Sequence, residues 1–229
     1  MGRGKDAPHR TQSVEDRLAA VPKICIDYCY IKGQTDDSVM FDDENATSED
    51  GLTCVVIDAD TGMIESVALP NKKLSPFATQ SVTNFIKGLF VHRSKLHSDG
   101  EPAIRALVDS IEGALPDRLI PSQAPTYSSS SNAHAEEAIS RVQAQFRVLR
   151  VALEAMHGVK IDPRHPLWPW AIKHAGWLVS RFQRRSTGLT AWETVHGGNY
   201  SGDILPFGEA CLARIPRPKT RFTRGSTIH

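Results

Sequence analysis

The sequence predicts an α/β protein in which a mixed sheet of about five strands is flanked by helices. Short runs rich in Ile, Val and Tyr dominate the first third of the chain, whereas apolar residues at helical spacing dominate the rest, with a further short strand-like run between helices. With 229 residues, 40% of them hydrophobic, the chain is long enough for one sizeable core. No run approaches the ~18 apolar residues of a membrane span, and the start is too polar for a signal peptide.

Three antiparallel strands are predicted before residue 70. The run "KICIDYCYI" at Lys23–Ile31 is apolar on both faces and predicts a buried strand. An acidic stretch, 32–50, is typical of an exposed loop. The runs "LTCVVID" and "MIESVAL" then flank the turn residues 59–62 and predict a hairpin.

Helices and further strand-like runs follow in the second part of the chain. A first helix starts at Ser75-Pro76, and a second starts at Pro102 after the run "SKLHSD". Asn132 is a typical N-cap for a long helix that follows a serine-rich loop at 128–131 and whose apolar face runs to Met156. Two more helices are predicted, at 168–184 and 190–196. We therefore expect a flexible leader at 1–21, a core at 22–200 and a basic extended tail at 201–229.

Charge is distributed unevenly along the chain. Residues 139–229 contain 14 lysines and arginines against 5 aspartates and glutamates, whereas residues 1–138 contain 13 against 21. A basic half beside an acidic half indicates a surface that binds a polyanion next to a site rich in carboxylates.

Three acids occupy positions that a sheet of this kind can bring together. Asp27 lies in the middle of the first predicted strand, Asp99 follows the fourth, and Glu136 lies in the first turn of the long helix. A carboxylate embedded in a strand is costly unless it is paired, hydrogen-bonded or bound to metal. These three residues are therefore the candidate catalytic and metal-binding set.

At these acids the sequence resembles a known family. The segments "CIDYC", "LHSDGEPAI" and "NAHAEEAI" resemble, in order and spacing, the aspartate, aspartate and glutamate signature of integrase catalytic cores of retroviruses and, more closely, of copia-type retrotransposons. The later segments "WAIKHAGWLVSRF", "TGLTAWETVHG" and "LPFGEACLA" are similar to motifs found downstream in copia-type cores, so the resemblance covers 24–216. Three departures are Ala133 in place of glycine, Glu137 in place of a basic residue and Ala191 in place of proline.

The resemblance implies a ribonuclease-H-like fold and a polynucleotidyl transferase that processes DNA ends and transfers strands. It implies two Mg²⁺ or Mn²⁺ ions, with Asp27 bridging both and Asp99 and Glu136 each holding one. Two such ions activate the attacking oxygen and stabilise the leaving oxygen in phosphoryl transfer. Glu136 is preferred to Glu137 because it aligns with the glutamate of the signature.

Double-stranded DNA, both element ends and target, is the partner that the resemblance implies. Self-association into a homo-oligomer and a place in the nucleus or in a cytoplasmic particle are further expectations. Phosphate contacts are expected from basic and polar residues of the second half. They are Gln143, Arg147 and Arg150 on the long helix, Arg184 and Arg185 after the next helix, and Arg214, Arg217, Lys219, Arg221 and Arg224 in the tail.

Two other functions remain open at this point. The chain is alternatively a nucleic-acid-binding remnant of a transposable element without catalysis, which the departures at Ala133 and Glu137 favour. It is alternatively a ribonuclease-H-type nuclease acting on RNA·DNA hybrids, since that fold also gathers acids on a central sheet. The downstream motifs argue against the nuclease.

Overall fold

A five-stranded mixed sheet forms the centre of the protein, seen in a computed structural model that describes residues 21–32, 51–123, 132–161 and 163–211. The strand order is β3-β2-β1-β4-β5. β1 pairs with β2 and β2 with β3 in antiparallel fashion, whereas β4 is parallel to β1 and β5 parallel to β4. The strands are β1 Lys23–Ile31, β2 Gly51–Asp58, β3 Ile64–Ala68, β4 Ser94–Ser98 and β5 Leu119–Gln123. The predicted mixed sheet is confirmed.

The described part of the chain contains five helices, and the first four of them cover the two faces of this sheet. They are α1 Pro76–Gly88, α2 Pro102–Ala114, α3 Ala133–His157, α4 Leu167–Phe182 and α5 Ala191–His196. Val82 of α1 and Ile104 of α2 pack on one face, and Phe146 of α3 and Ile172 of α4 pack on the other. None of these helices combines the length and apolar character needed to cross a bilayer.

β1 is central because both of its faces are apolar. Its alternate residues Ile24 and Ile26 belong to the core under α1 and α2, whereas Cys25 and Cys29 belong to the core under α3 and α4. Because side chains alternate along a strand, Asp27 points to the same face as the two cysteines. The carboxylate inside β1 is thus directed towards the side of the sheet that α3 covers.

The exposed large apolar side chains include Met156, which the sequence predicts on the apolar face of the long helix, and Trp170 of α4. Met156 of α3 is 54% exposed and Trp170 of α4 is 65% exposed. The buried stripe of α3 ends at Leu153, and the helix ends at Gly158, whose φ is 65°. Trp170 lies two positions from the buried Trp168, about 200° around the helix, and so faces the opposite side.

The leader at 1–20, the acidic loop at 33–50, the serine-rich loop at 128–131 and the tail from 212 lie outside the described residues. Among the described residues, Phe207 packs against the core under α3 and α4, although it falls in the range predicted to be an extended tail. The imidazole of His174 stacks between Trp177, with ring centroids 5.2 Å apart, and Phe207, at 5.0 Å. His174 therefore joins the segment around Phe207 to α4.

We expect the substitution Phe146→Ala to lower the free energy of unfolding by about 3–5 kcal/mol, because it leaves a cavity in the core. Phe146 is 1% exposed and packs edge-on against Trp168, with ring centroids 4.6 Å apart. Val148→Ala on the same helix is the matched control, since Val148 is 62% exposed, and it should change the value by less than about 0.5 kcal/mol. Urea denaturation measures both, and equal losses would contradict this packing.

Stability should fall as the pH drops below 6.5, in part through His174, because burial lowers the pKa of this side chain below its ordinary value of 6.5. The unfolded chain takes up a proton near that ordinary value, while the folded protein resists protonation down to its lower pKa. Stability is therefore lost across that interval. His174→Phe retains the stacking and should flatten this part of the pH profile. If wild type and variant lose stability in parallel, His174 does not titrate as described.

Candidate active site

Asp27 anchors the candidate site in the middle of β1. Its Oδ1 accepts a hydrogen bond of 2.8 Å from the backbone N–H of Tyr28. Its Oδ2 accepts a hydrogen bond of 3.0 Å from the side-chain amide of Asn132. Because both carboxylate oxygens accept hydrogen bonds, the charge is stabilised although it lies in a strand with apolar neighbours on either side.

Asp99 lies beside Asp27 at the end of the neighbouring parallel strand. The last residue pair between β1 and β4 is Ile26 with Ser98, so Asp27 and Asp99 each follow that pair directly. Neighbouring strands lie about 4.8 Å apart, and residues in register on parallel strands point to the same face. Asp99 also accepts a hydrogen bond of 3.1 Å from the backbone N–H of Glu101, which shapes the turn into α2.

Asn132 connects the start of α3 to Asp27. It occupies the N-cap position, as predicted, but its side chain makes no capping hydrogen bond. Its Nδ2 donates to Asp27 instead, and its buried Oδ1 has no hydrogen-bond partner among the described residues. Since a carboxylate requires a donor, the amide orientation with Nδ2 towards Asp27 is the favourable one. The sequence predicted Asn132 as a helix cap. It did not predict the contact with Asp27, which lies 105 positions away in the sequence.

Glu136 and Glu137 are consecutive residues near the start of α3, about 100° apart around the helix axis. Glu136 follows Asn132 by four positions, so it lies one turn further along on the side of the helix that approaches Asp27. Glu137 precedes Arg141 by four positions, and its charge favours the protonated form of that guanidinium. Both glutamates are exposed.

The three predicted carboxylates do not form a metal-binding group. Among the described residues, no group of three or more His, Cys, Asp or Glu side chains is arranged to hold a metal ion. The amide of Asn132 occupies one oxygen of Asp27. The oxygen donors themselves are of the type that Mg²⁺ and Mn²⁺ prefer.

Two of the residues predicted to contact DNA from the long helix are buried. Gln143 is 6% exposed and its amide donates to the carbonyl oxygen of Tyr30 at 3.4 Å. Arg150 is 4% exposed and lies 3.7 Å from a carboxylate oxygen of Glu154. Both side chains belong to the buried stripe of α3, which is wide enough to include them. Arg147, on the margin of the stripe, is exposed.

Arg184 and Arg185 follow α4 and are oriented by backbone carbonyls. Arg184 donates from Nη1 to the carbonyl oxygen of Gly188 at 2.6 Å, and Arg185 donates from Nη1 to that of Asp60 at 2.8 Å. Arg184 is exposed and Arg185 is partly exposed. The basic residues predicted in the tail, Arg214, Arg217, Lys219, Arg221 and Arg224, lie outside the described residues.

Comparison with known proteins finds similar solved structures but no matching sequence family. No protein-family model matches the chain, and no curated protein matches it. A chain in the cryo-EM structure of the simian T-cell lymphotropic virus intasome in complex with PP2A regulatory subunit B56 gamma aligns with a TM-score of 0.54 and 15% identity over 86% of this chain. The magnesium complex of the HTLV-2 integrase catalytic core, trimeric form, aligns with a TM-score of 0.50 and 14% identity, covering 77% of this chain and 98% of that one.

These similarities establish the fold. The mixed five-stranded sheet with flanking helices is that of integrase catalytic cores, which is ribonuclease-H-like. The alignment covers 61% of the simian virus chain, so this chain matches only part of that protein. At 14% to 15% identity the likeness concerns the fold, and the chemistry has to be argued from the residues of the site.

We expect Asn132→Ala to lower the free energy of unfolding by about 1–3 kcal/mol, because it removes a buried donor from the Asp27 carboxylate. Asn84→Ala on α1 is the control, since Asn84 is exposed and its side chain has no hydrogen-bond partner among the described residues. Thermal and urea unfolding measure both variants. A loss no larger in the Asn132 variant than in the control would show that the link between α3 and β1 contributes nothing.

Proposed function

We propose that this chain is the catalytic core of a copia-type retrotransposon integrase, a metal-dependent polynucleotidyl transferase acting on DNA. The observation that carries the proposal is the placement of Asp27 and Asp99 side by side after the last pair of β1 and β4, within an integrase-core fold. The start of α3, with Glu136, is tied to the same place through Asn132. The resemblance of the three acidic segments to copia-type cores supports the finer assignment.

Mg²⁺ or Mn²⁺ would be held by Asp27, Asp99 and Glu136. The unpartnered and buried Oδ1 of Asn132, adjacent to the Asp27 carboxylate, supports a cation at this place, because a buried acceptor without a donor is costly. The neighbouring HTLV-2 core is described in complex with magnesium. Divalent ions bound here would polarise the scissile phosphate and favour an oxygen nucleophile.

The side chains of this chain would divide the work by position. Asp27 and Asp99 each follow the last residue pair of β1 and β4, and Asn132 links Asp27 to the helix of Glu136, so these acids would hold the ions together. Asp99 and Glu136 would each hold one of the ions. Asn132 is a positioning residue, because its amide fixes the rotamer of Asp27. Double-stranded DNA would be the substrate, reached in the nucleus or in a cytoplasmic particle.

Self-association is part of the same proposal. The HTLV-2 core is described in a trimeric form, and the simian virus structure is an intasome. Cutting and joining two element ends requires two active sites to act on one target, which a homo-oligomer would supply.

A catalytically inactive remnant is the second candidate, and a specific observation favours it. The three acids do not form a metal-binding group among the described residues, and Glu137 brings a negative charge next to Glu136. A second carboxylate beside the site would weaken the local attraction for phosphate. A remnant would bind DNA without cleaving it.

The substitution Asp27→Asn tests the proposal directly. With Mg²⁺ or Mn²⁺ the wild type should cleave labelled duplex ends, and the variant should lose this activity by about 100-fold or more, since even residues that only orient a ligand contribute about 10- to 100-fold. Folding should persist, because an asparagine oxygen can still accept from Asn132. Asp109→Asn, an exposed change on α2, is the matched control and should retain activity.

Each other outcome has a distinct meaning. Preferential cleavage of an RNA·DNA hybrid would indicate a ribonuclease-H-type nuclease. Binding of DNA and metal by the wild type without cleavage would indicate the remnant. Full activity in the Asp27 variant would remove Asp27 from the catalytic set.

A further inference from the structure

A third arginine, Arg141 of α3, lies beside Arg184 and Arg185. Its Nε donates to the side-chain Oε1 of Gln183 at 2.8 Å. Gln183 is the C-cap residue of α4, directly before Arg184 and Arg185. The hydrogen bond therefore ties the third turn of α3 to the segment that carries the other two guanidinium groups.

Each of the three guanidinium groups is oriented by a hydrogen bond within the described part of the chain. Gln183 orients Arg141, the carbonyl of Gly188 orients Arg184 and the carbonyl of Asp60 orients Arg185. A guanidinium group has five N–H donors, so each retains further donors for a ligand. The three groups are thus held in place and still able to bind.

Arg185 is held against the turn between β2 and β3 as well as by its hydrogen bond. A Cβ added at Gly62, in that turn, would come within 2.7 Å of the Nε of Arg185. The close approach is possible because Gly62 has no side chain. The guanidinium of Arg185 therefore lies over the hairpin, on the side of the segment that follows α4.

Arg141, Arg184 and Arg185 form a cluster of three positive charges. Among the described residues, no carboxylate forms a salt bridge with any of them. Burial lowers the pKa of Arg141, and the like charge of Arg185 lowers it further, while Glu137 opposes the change. Hydrogen bonds from Thr190 lower the pKa of Glu193, and the positive charge of Arg184 lowers it further. An oriented group of like charges at a surface is relieved when an anion binds.

The position of the cluster relates it to the candidate active site. Arg141 follows Glu136 by five residues, about 7.5 Å along the axis of α3. Both residues lie on the portion of α3 that begins at Asn132, which contacts Asp27. The two residues are about 140° apart around the helix axis, so Arg141 lies to one side of the candidate active site, where it contacts Gln183.

We propose that Arg141, Arg184 and Arg185 form a clamp for the phosphodiester backbone of the DNA strand that enters the candidate active site. The inference rests on the proposed function and adds the phosphate-binding residues nearest to it. Arg141 is the new member, since the pattern of basic residues along the long helix pointed to Arg147 and Arg150 instead. The planar guanidinium fork suits phosphate oxygens, so the contact should depend on Arg geometry as well as charge.

The experiment measures binding of a fluorescently labelled DNA duplex to the full chain by anisotropy over a salt series. Arg141→Gln should reduce the slope of log affinity against log salt by about 0.9, one phosphate contact, and the triple change of Arg141, Arg184 and Arg185 to Gln by about 2.7. Arg141→Lys should retain most of the slope but bind more weakly. Arg93→Gln is the charge-matched control, because Arg93 is exposed before the amino end of β4, away from Asp99.

Failure of the clamp and failure of the proposed function give different results. If the wild type binds duplex with a steep salt dependence and the Arg141 and Arg93 variants match it, the clamp is wrong while DNA binding stands. If the wild type binds no duplex at any salt concentration, the proposed function itself fails. Should Arg141→Gln unfold, as seen by circular dichroism, Arg184→Gln decides, since Arg184 is exposed and its guanidinium, among the residues described, donates only to Gly188 of its own loop. Stabilisation by inorganic phosphate with unchanged duplex binding would also overturn the clamp.

Discussion

The carboxylate of Asp27 is the constraint on which the rest of the site depends. It lies in a strand whose neighbouring side chains, Cys25 and Cys29, are buried. A charge in such surroundings requires hydrogen bonds to both oxygens, and the chain supplies one from its own backbone and one from Asn132. Because the second donor stands at the start of α3, satisfying the charge also fixes where that helix begins relative to the sheet.

The parallel pairing of β1 with β4 supplies the second half of the site. The chain returns from β1 to its parallel neighbour β4 through a crossover that includes α1. The carboxyl ends of the two strands therefore lie at the same edge of the sheet. Asp99 then lies beside Asp27 without any direct contact between the two acids being needed to hold them there. The backbone register, rather than side-chain attraction, brings together two like charges that would otherwise repel.

Much of the fold follows from local patterns, whereas the finer features of the site depend on distant partners. The strands, the hairpin and the helices were predictable from alternation, helical spacing and turn residues. The burial of Gln143 was not, because it depends on the carbonyl of Tyr30, which lies 113 positions away in the sequence. The same holds for Asn132, whose type predicts a helix cap but whose amide instead serves Asp27. Arg141 was missed because its significance comes from Gln183, a residue at the end of another helix.

α3 transmits these constraints from the core to the surface. Phe146 and Leu153 set its rotation about its own axis by packing against the sheet, and Asn132 sets its starting point. With rotation and start both fixed, the directions of Glu136 and Arg141 follow from helical geometry alone. The carboxylate and the guanidinium therefore keep a constant separation on one rigid element, so a strand held by Arg141 would be presented to the same point of the site at each encounter. The precision of the proposed chemistry would therefore depend on the buried stripe of α3.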